Sequence, residues 1–204
     1  MLRLTASLVL AAGCVAFVAY LHELGEFPTA SPAARHLRLM KDRVAVPDSA
    51  EPTTYAAMAS MPDHAPLARY APLEQRAVEL EGHVQRLLRA ADDDFHIELA
   101  AEPRQPGDPN LRYVTAEITP AWRLGSANWS YAHLVQTFHP TFGGVTAWDG
   151  GTHRVRLTGW LLYDYEYQDV PVYGRPRIAS WELHPVTRIE LWNDSLGTYV
   201  DLPR

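Results

Sequence analysis

Only one cysteine, Cys14, occurs in the 204 residues. An intramolecular disulfide is therefore impossible, and metal sites built from several thiolates are excluded. Positive charge is scarce as well. The net charge is −6, and the deficit lies beyond residue 72, where 12 arginines face 18 acidic residues. An acidic domain lacks the general attraction to phosphate backbones on which nucleic-acid affinity rests, so a nucleic-acid partner is not expected. There is no Walker loop, no dinucleotide-binding glycine fingerprint, no Gly-x-Ser-x-Gly elbow and no His-Glu-x-x-His helix. Those absences remove the commonest signatures of nucleotide binding and of serine or zinc hydrolysis. No tryptophan precedes residue 120.

What is present begins with an uncharged run from Leu4 to Leu21, preceded by Arg3 and followed by Glu23 and Glu26. Its length suits a short membrane-spanning helix or a long signal-peptide core, and the flanking charges favour an orientation with the remainder outside the cytoplasm. Residues 1–27 therefore read as a signal anchor or signal peptide. Two destinations follow: anchorage in the inner membrane facing the periplasm, or secretion. Ala11-Ala12-Gly13-Cys14 is a weak lipobox, so lipidation at Cys14 is a less favoured third route.

Residues 28–72 carry Pro28, Pro32, Pro47, Pro52, Pro62, Pro66 and Pro72 among Ala, Ser and Thr. Proline at that density interrupts every candidate helix, and the stretch reads as a linker, with one short helix possible around 33–43. From 73 to 204 the pattern changes to alternation with a period of two, the mark of half-buried strands. Val78, Leu80 and Val84 alternate with Glu79, Glu81, His83 and Gln85, and Gly82 suggests a bulge or barrel corner. After the acidic turn Asp92-Asp93, Phe95, Ile97 and Leu99 point inward; Val114, Ala116 and Ile118 form a third run. Tyr131, Leu134, Val135 and Phe138 then fall at helical spacing. Two further strands follow, one with Val155, Leu157, Gly159 and Leu161 on a face, the other with Trp181, Leu183, Ile189 and Leu191. The order β-β-β-α-β-β is that of a five-stranded OB-like barrel, with a β-sandwich fragment or another small barrel as the alternatives, so the fold class is mainly β.

Four strings occur in order: Asp92-Asp93-Asp94-Phe95-His96, Ala116-Glu117-Ile118, Arg156-Leu157-Thr158-Gly159 and Trp181-Glu182-Leu183-His184-Pro185-Val186. Residues 75–192 thereby resemble a group of uncharacterised bacterial secreted proteins with a D-x-D-x-H, A-E-I, R-x-T-G and W-E-[IL]-H-P-V signature. The resemblance implies a compact extracytoplasmic β domain. No reaction and no catalytic residue come with it.

In an OB barrel the third strand lies between the second and the fifth. The alternation then turns Asp94, His96 and Glu98, with Glu117, Glu182 and His184, to one outer face, on strands about 4.8 Å apart. Asp94, His96, Glu117, Glu182 and His184 are thus candidate ligands for a divalent metal, which could activate water in a nuclease-like hydrolase. The same side chains also suit an ordinary cross-strand polar network, with Arg112 or Arg188 as the balancing cation. A second candidate surface is the loop Asp164–Arg177, where Tyr165, Tyr167, Tyr173, Arg175 and Arg177 could stack on a ligand. The leading expectation is an accessory module that binds a ligand or an envelope protein. A metal-dependent hydrolase and a structural envelope protein are the alternatives.

Overall fold

The computed structural model describes residues 30–103, 112–138, 153–167 and 177–204. The apolar run Leu4–Leu21 lies outside them, and among the described residues no helix is long and apolar enough to cross a membrane. The chain divides into two compact units, Met1–Met40 and Lys41–Arg204. Of the first, the described part is essentially helix α1 (Pro32–Lys41), whose last residue belongs to the second.

The second unit runs through β1 (Glu51–Pro52), α2 (Tyr55–Ala59), α3 (Leu67–Tyr70) and a 3-10 turn at Leu73–Gln75. Then come β2 (Ala77–Arg89), β3 (Phe95–Ala100), β4 (Val114–Ile118), α4 (Pro120–Arg123) and α5 (Tyr131–Phe138). β5 (Arg154–Tyr163), a 3-10 turn at Tyr165–Tyr167, β6 (Trp181–Asn193) and β7 (Thr198–Asp201) complete it. The five long strands pair in the order β2-β3-β4-β6-β5, and β5 returns to β2, so the barrel is closed. Every barrel pairing is antiparallel except β4–β6, which is parallel and in register only at Ala116–Leu183. β1 adds to β2 and β7 to β6 on the outside. This is the OB-like arrangement, with α5 between the third and fourth barrel strands as the spacing predicts.

The alternating apolar residues supply the core. Val78, Leu80, Val84, Phe95, Ile97, Leu99, Val114, Ala116, Ile118, Val155, Leu157, Leu161 and Leu183 are all buried in one cluster, joined by Leu134 and Phe138 of α5. Each large aliphatic side chain removed from water contributes about 1.5–3 kcal/mol.

Two details differ from the sequence expectation. The β2 register shift falls between Val84 and Arg86, not at Gly82. Gly82 instead leaves room for its neighbours: a Cβ there would lie 2.6 Å from the Ala100 carbonyl oxygen and closer still to the Tyr55 hydroxyl. Secondly, from Lys41 onward the stretch read as a linker belongs to the same compact unit as the barrel. Met58 and Tyr70 sit in the core. Its irregular backbone is held by indole donors from the barrel: Trp122 donates to the Arg43 carbonyl, Trp160 to Ala45 and Trp181 to Pro62, at 3.0, 2.9 and 2.8 Å. Proline density kept the helices there short, at Tyr55–Ala59 and Leu67–Tyr70, but excluded neither helix nor burial.

The β5–β6 ladder shifts register on both sides of Gly159, which pairs with Val186 next to Pro185. A Cβ at Gly159 would stand 2.8 Å from the Pro185 carbonyl oxygen and 3.1 Å from Leu183 Cβ. Neither is the far end of a flexible side chain. Gly159→Ala should therefore destabilise by about 1–3 kcal/mol, the range for overpacking, measured by denaturant unfolding.

Candidate functional site

The hairpin between β2 and β3 sets the first part of the site. Asp93 adopts a left-handed backbone at φ 72°. Arg123 of α4 donates to both its carbonyl and its carboxylate, each at 2.6 Å, and Arg89 donates to the same carboxylate. With Asp93 pinned, Asp94 enters β3 on the face opposite Phe95. His96 and Glu98 follow on that face, Thr115 and Glu117 share it on β4, and Glu182 and His184 share it on β6. The cross-strand register pairs His96 with Glu117 and Glu98 with Thr115.

These side chains meet as the alternation predicts. His96 Nδ1 is 2.9 Å from Glu117 Oε1. His184 Nδ1 is 3.0 Å from Glu117 Oε2 and 3.2 Å from Glu182 Oε1. His184 Nε2 faces Asp94 Oδ2 at 3.6 Å, within ion-pair range but too long for a hydrogen bond. All five candidate metal ligands thus lie in one cluster. Their environment is not that of a solvated outer face, however. His184 and Glu182 are 0% exposed, and Asp94 and Glu117 only 6%.

The balancing cations also differ from the expectation. Arg188 pairs elsewhere, with Asp201 and Glu190, and Arg112 is exposed. Arg177 and Lys41, the chain's only lysine, take that place. Arg177 lies 3.4 Å from Glu182 and 3.8 Å from Asp164. Lys41 reaches Asp92 at 3.9 Å, and Arg86 meets buried Glu98 at 3.3 Å.

The electrostatics follow from burial and close pairing. Burial alone would lower the His184 imidazole, but hydrogen bonds to Glu117 and Glu182 outweigh it and raise it to about 10. Burial likewise favours protonated Glu117, yet the His184 and His96 hydrogen bonds hold its carboxyl well below the usual range. Asp94 receives no hydrogen bond of that kind among the described residues, and burial pushes it up to about 7 against the opposing charge of His184. Asp164 rises to about 7 through burial and the neighbouring Glu182 charge. Lys41 shows the reverse balance. Its burial cost is outweighed by Glu182, Glu117, Asp164 and Asp92, and the ammonium is held above its ordinary range.

The Tyr/Arg loop divides differently. Tyr173 and Arg175 lie outside the described residues. Arg177 turns into the acidic cluster, its guanidinium 4.3 Å from the Tyr167 ring centre, so it is a member of the site and not an exposed stacking residue. Asp164 is a member that sequence reasoning missed, although an acid directly after the apolar Leu161-Leu162-Tyr163 run was a usable signal. Lys41 had none: it stands far away in the chain, within the stretch read as a linker.

Chemically, the arrangement offers imidazole nitrogen and carboxylate oxygens within reach of one point, in surroundings where uncompensated charge is costly. Comparison with protein-family models, with curated proteins and with solved structures finds no match for this chain.

Proposed function

We propose that this chain is an extracytoplasmic binding module, tethered to the membrane through residues 4–21 or secreted. In this reading the barrel captures its ligand or envelope partner on the β3–β4–β6 flank. One observation carries it: Asp94, Glu117, Glu182 and His184 are withdrawn from water together, on adjacent strands, in a barrel whose apolar core is already complete without them. Buried ionic groups of this kind are commonly less stabilising than apolar replacements of similar size, and a fold retaining them gives up stability.

Asp94 separates a binding site from a structural network. Its carboxylate has no hydrogen-bond donor among the described side chains and crowds the other acids, so the reading predicts that the fold gains when its charge is removed. In EDTA at pH 8, Asp94→Asn should unfold about 1–3 kcal/mol later than wild type, on the scale of stabilising substitutions at functional sites. A loss of stability instead would make the cluster a structural network and end this reading.

A further inference from the structure

His184 is fully buried, and its Nε2 has no hydrogen-bond partner among the described residues. Both groups at hydrogen-bond distance from its Nδ1 are carboxylate oxygens, of Glu117 and Glu182. Carboxylates accept, so Nδ1 keeps its proton, and Nε2 is the nitrogen from which a bound cation would displace one. An imidazole that donates from one nitrogen to a carboxylate and aims the other into an acidic site has the orientation of a metal-ligating histidine.

The oxygen donors are in place around it. One ligand atom each from Asp94, Glu117 and His184 lie within 4.8 Å of one another. Around an ion bound at about 2.0–2.2 Å, tetrahedral neighbours stand roughly 3.3–3.6 Å apart. The 3.6 Å between His184 Nε2 and Asp94 Oδ2 already matches that spacing. Glu117 and Glu182 both serve Nδ1, although one acceptor suffices. To reach an ion on Nε2, Glu117 Oε2 would have to leave Nδ1 to Glu182, while His96 holds Oε1 at 2.9 Å.

We infer that the β3–β4–β6 flank is a divalent transition-metal site, with His184 Nε2, Asp94 and Glu117 as ligands and Glu182 and His96 as positioning residues. This rests on reading the flank as the binding surface and names its ligand. A nitrogen donor beside two carboxylates suits Zn²⁺ or Mn²⁺ and works against Ca²⁺ and Mg²⁺, which prefer oxygen alone. Three protein ligands leave a coordination position open for water or for a donor from a partner.

The test is thermal unfolding and calorimetric titration of the full chain, stripped with EDTA and then supplied with Zn²⁺, Mn²⁺ or Ca²⁺. Zn²⁺ or Mn²⁺ at a hundredfold excess over its dissociation constant should raise the midpoint by roughly 5–10 °C. The stoichiometry should be one ion per chain, and Ca²⁺ should give a smaller shift. Asp94→Asn, which keeps the shape of the side chain, should lose the response while remaining folded, and His184→Gln should lose it independently. An equal response in both variants would place any bound ion elsewhere and overturn the inference. No response in wild type would overturn it too. Asp94→Asn in EDTA tells these failures apart: if it still stabilises, the binding reading stands and the ligand is not a metal.

Discussion

Arg43→Ala should lower the stability of this protein by about 3 kcal/mol or more, with a fall in melting temperature of roughly 10 °C. The Arg43 guanidinium donates to three main-chain carbonyls: Glu74 at 2.5 Å, Leu161 at 2.8 Å and His184 at 3.2 Å. It also lies 5.2 Å from the Trp160 ring centre. Burial lowers its pKa to about 10 against the opposing charge of Glu74, so the group is held in place despite its desolvation. Truncation leaves these carbonyls, on β5, β6 and the turn before β2, without their charged donor. Arg43→Lys should recover only part of the loss, because a single ammonium cannot reproduce a planar fork aimed at three acceptors. The comparison also tests whether residues 41–72 belong to the fold. Were they a passive linker, both variants would unfold with wild type.

The second large effect is a dependence on pH that can be read at Asp164. The residue is 2% exposed, and its Oδ1 is buried without a hydrogen-bond partner. Glu182 and Glu117 disfavour its charge, Arg177 and Lys41 favour it, Tyr167 packs nearby, and the balance puts it at about 7. The unfolded chain releases this proton near pH 4, whereas the folded chain keeps it until about pH 7. The folded state therefore binds more protons between those values, and the contribution of Asp164 to stability declines as pH rises from 4 through 7. At 1.36 kcal/mol per unit the total is on the order of 2–4 kcal/mol. Asp164→Asn imitates the protonated form, so its stability relative to wild type should climb across that range and level off above pH 8. Denaturant unfolding of both proteins from pH 4 to pH 8 isolates the effect, since groups common to the two cancel. Parallel curves would show that Asp164 is no more reluctant to ionise in the fold than out of it.

The barrel was legible because period-two alternation reports which face is apolar without regard to what covers the other. Phe95, Ile97 and Leu99, then Val114, Ala116 and Ile118, announce both the strands and their inner faces, and strand order follows from OB topology. The same logic brought Asp94, His96, Glu117, Glu182 and His184 together. It placed them in water, because a polar face reads as a solvated one unless tertiary structure supplies a cover and counter-charges. Here Asp164 follows β5, Arg177 precedes β6 and Lys41 comes from the Pro-rich stretch, and for Lys41 no local pattern encodes the contact. The Pro-rich stretch misled for a related reason. Proline forbids regular ladders, yet its neighbours' carbonyls remain available, and tryptophans more than 75 residues away take them up.

The sparse parallel joint between β4 and β6 gives the cluster a mechanical meaning. Main-chain pairing across it is confined to Ala116–Leu183 and the outlying Tyr113–Arg177 bridge, while Glu117 and His184 face each other across the same gap at 3.0 Å. The barrel is zipped along its other four sides and buttoned along this one. Glu117 and His184 thus add a side-chain link to the joint where the main-chain ladder is shortest, beside the apolar packing of Ala116 and Leu183.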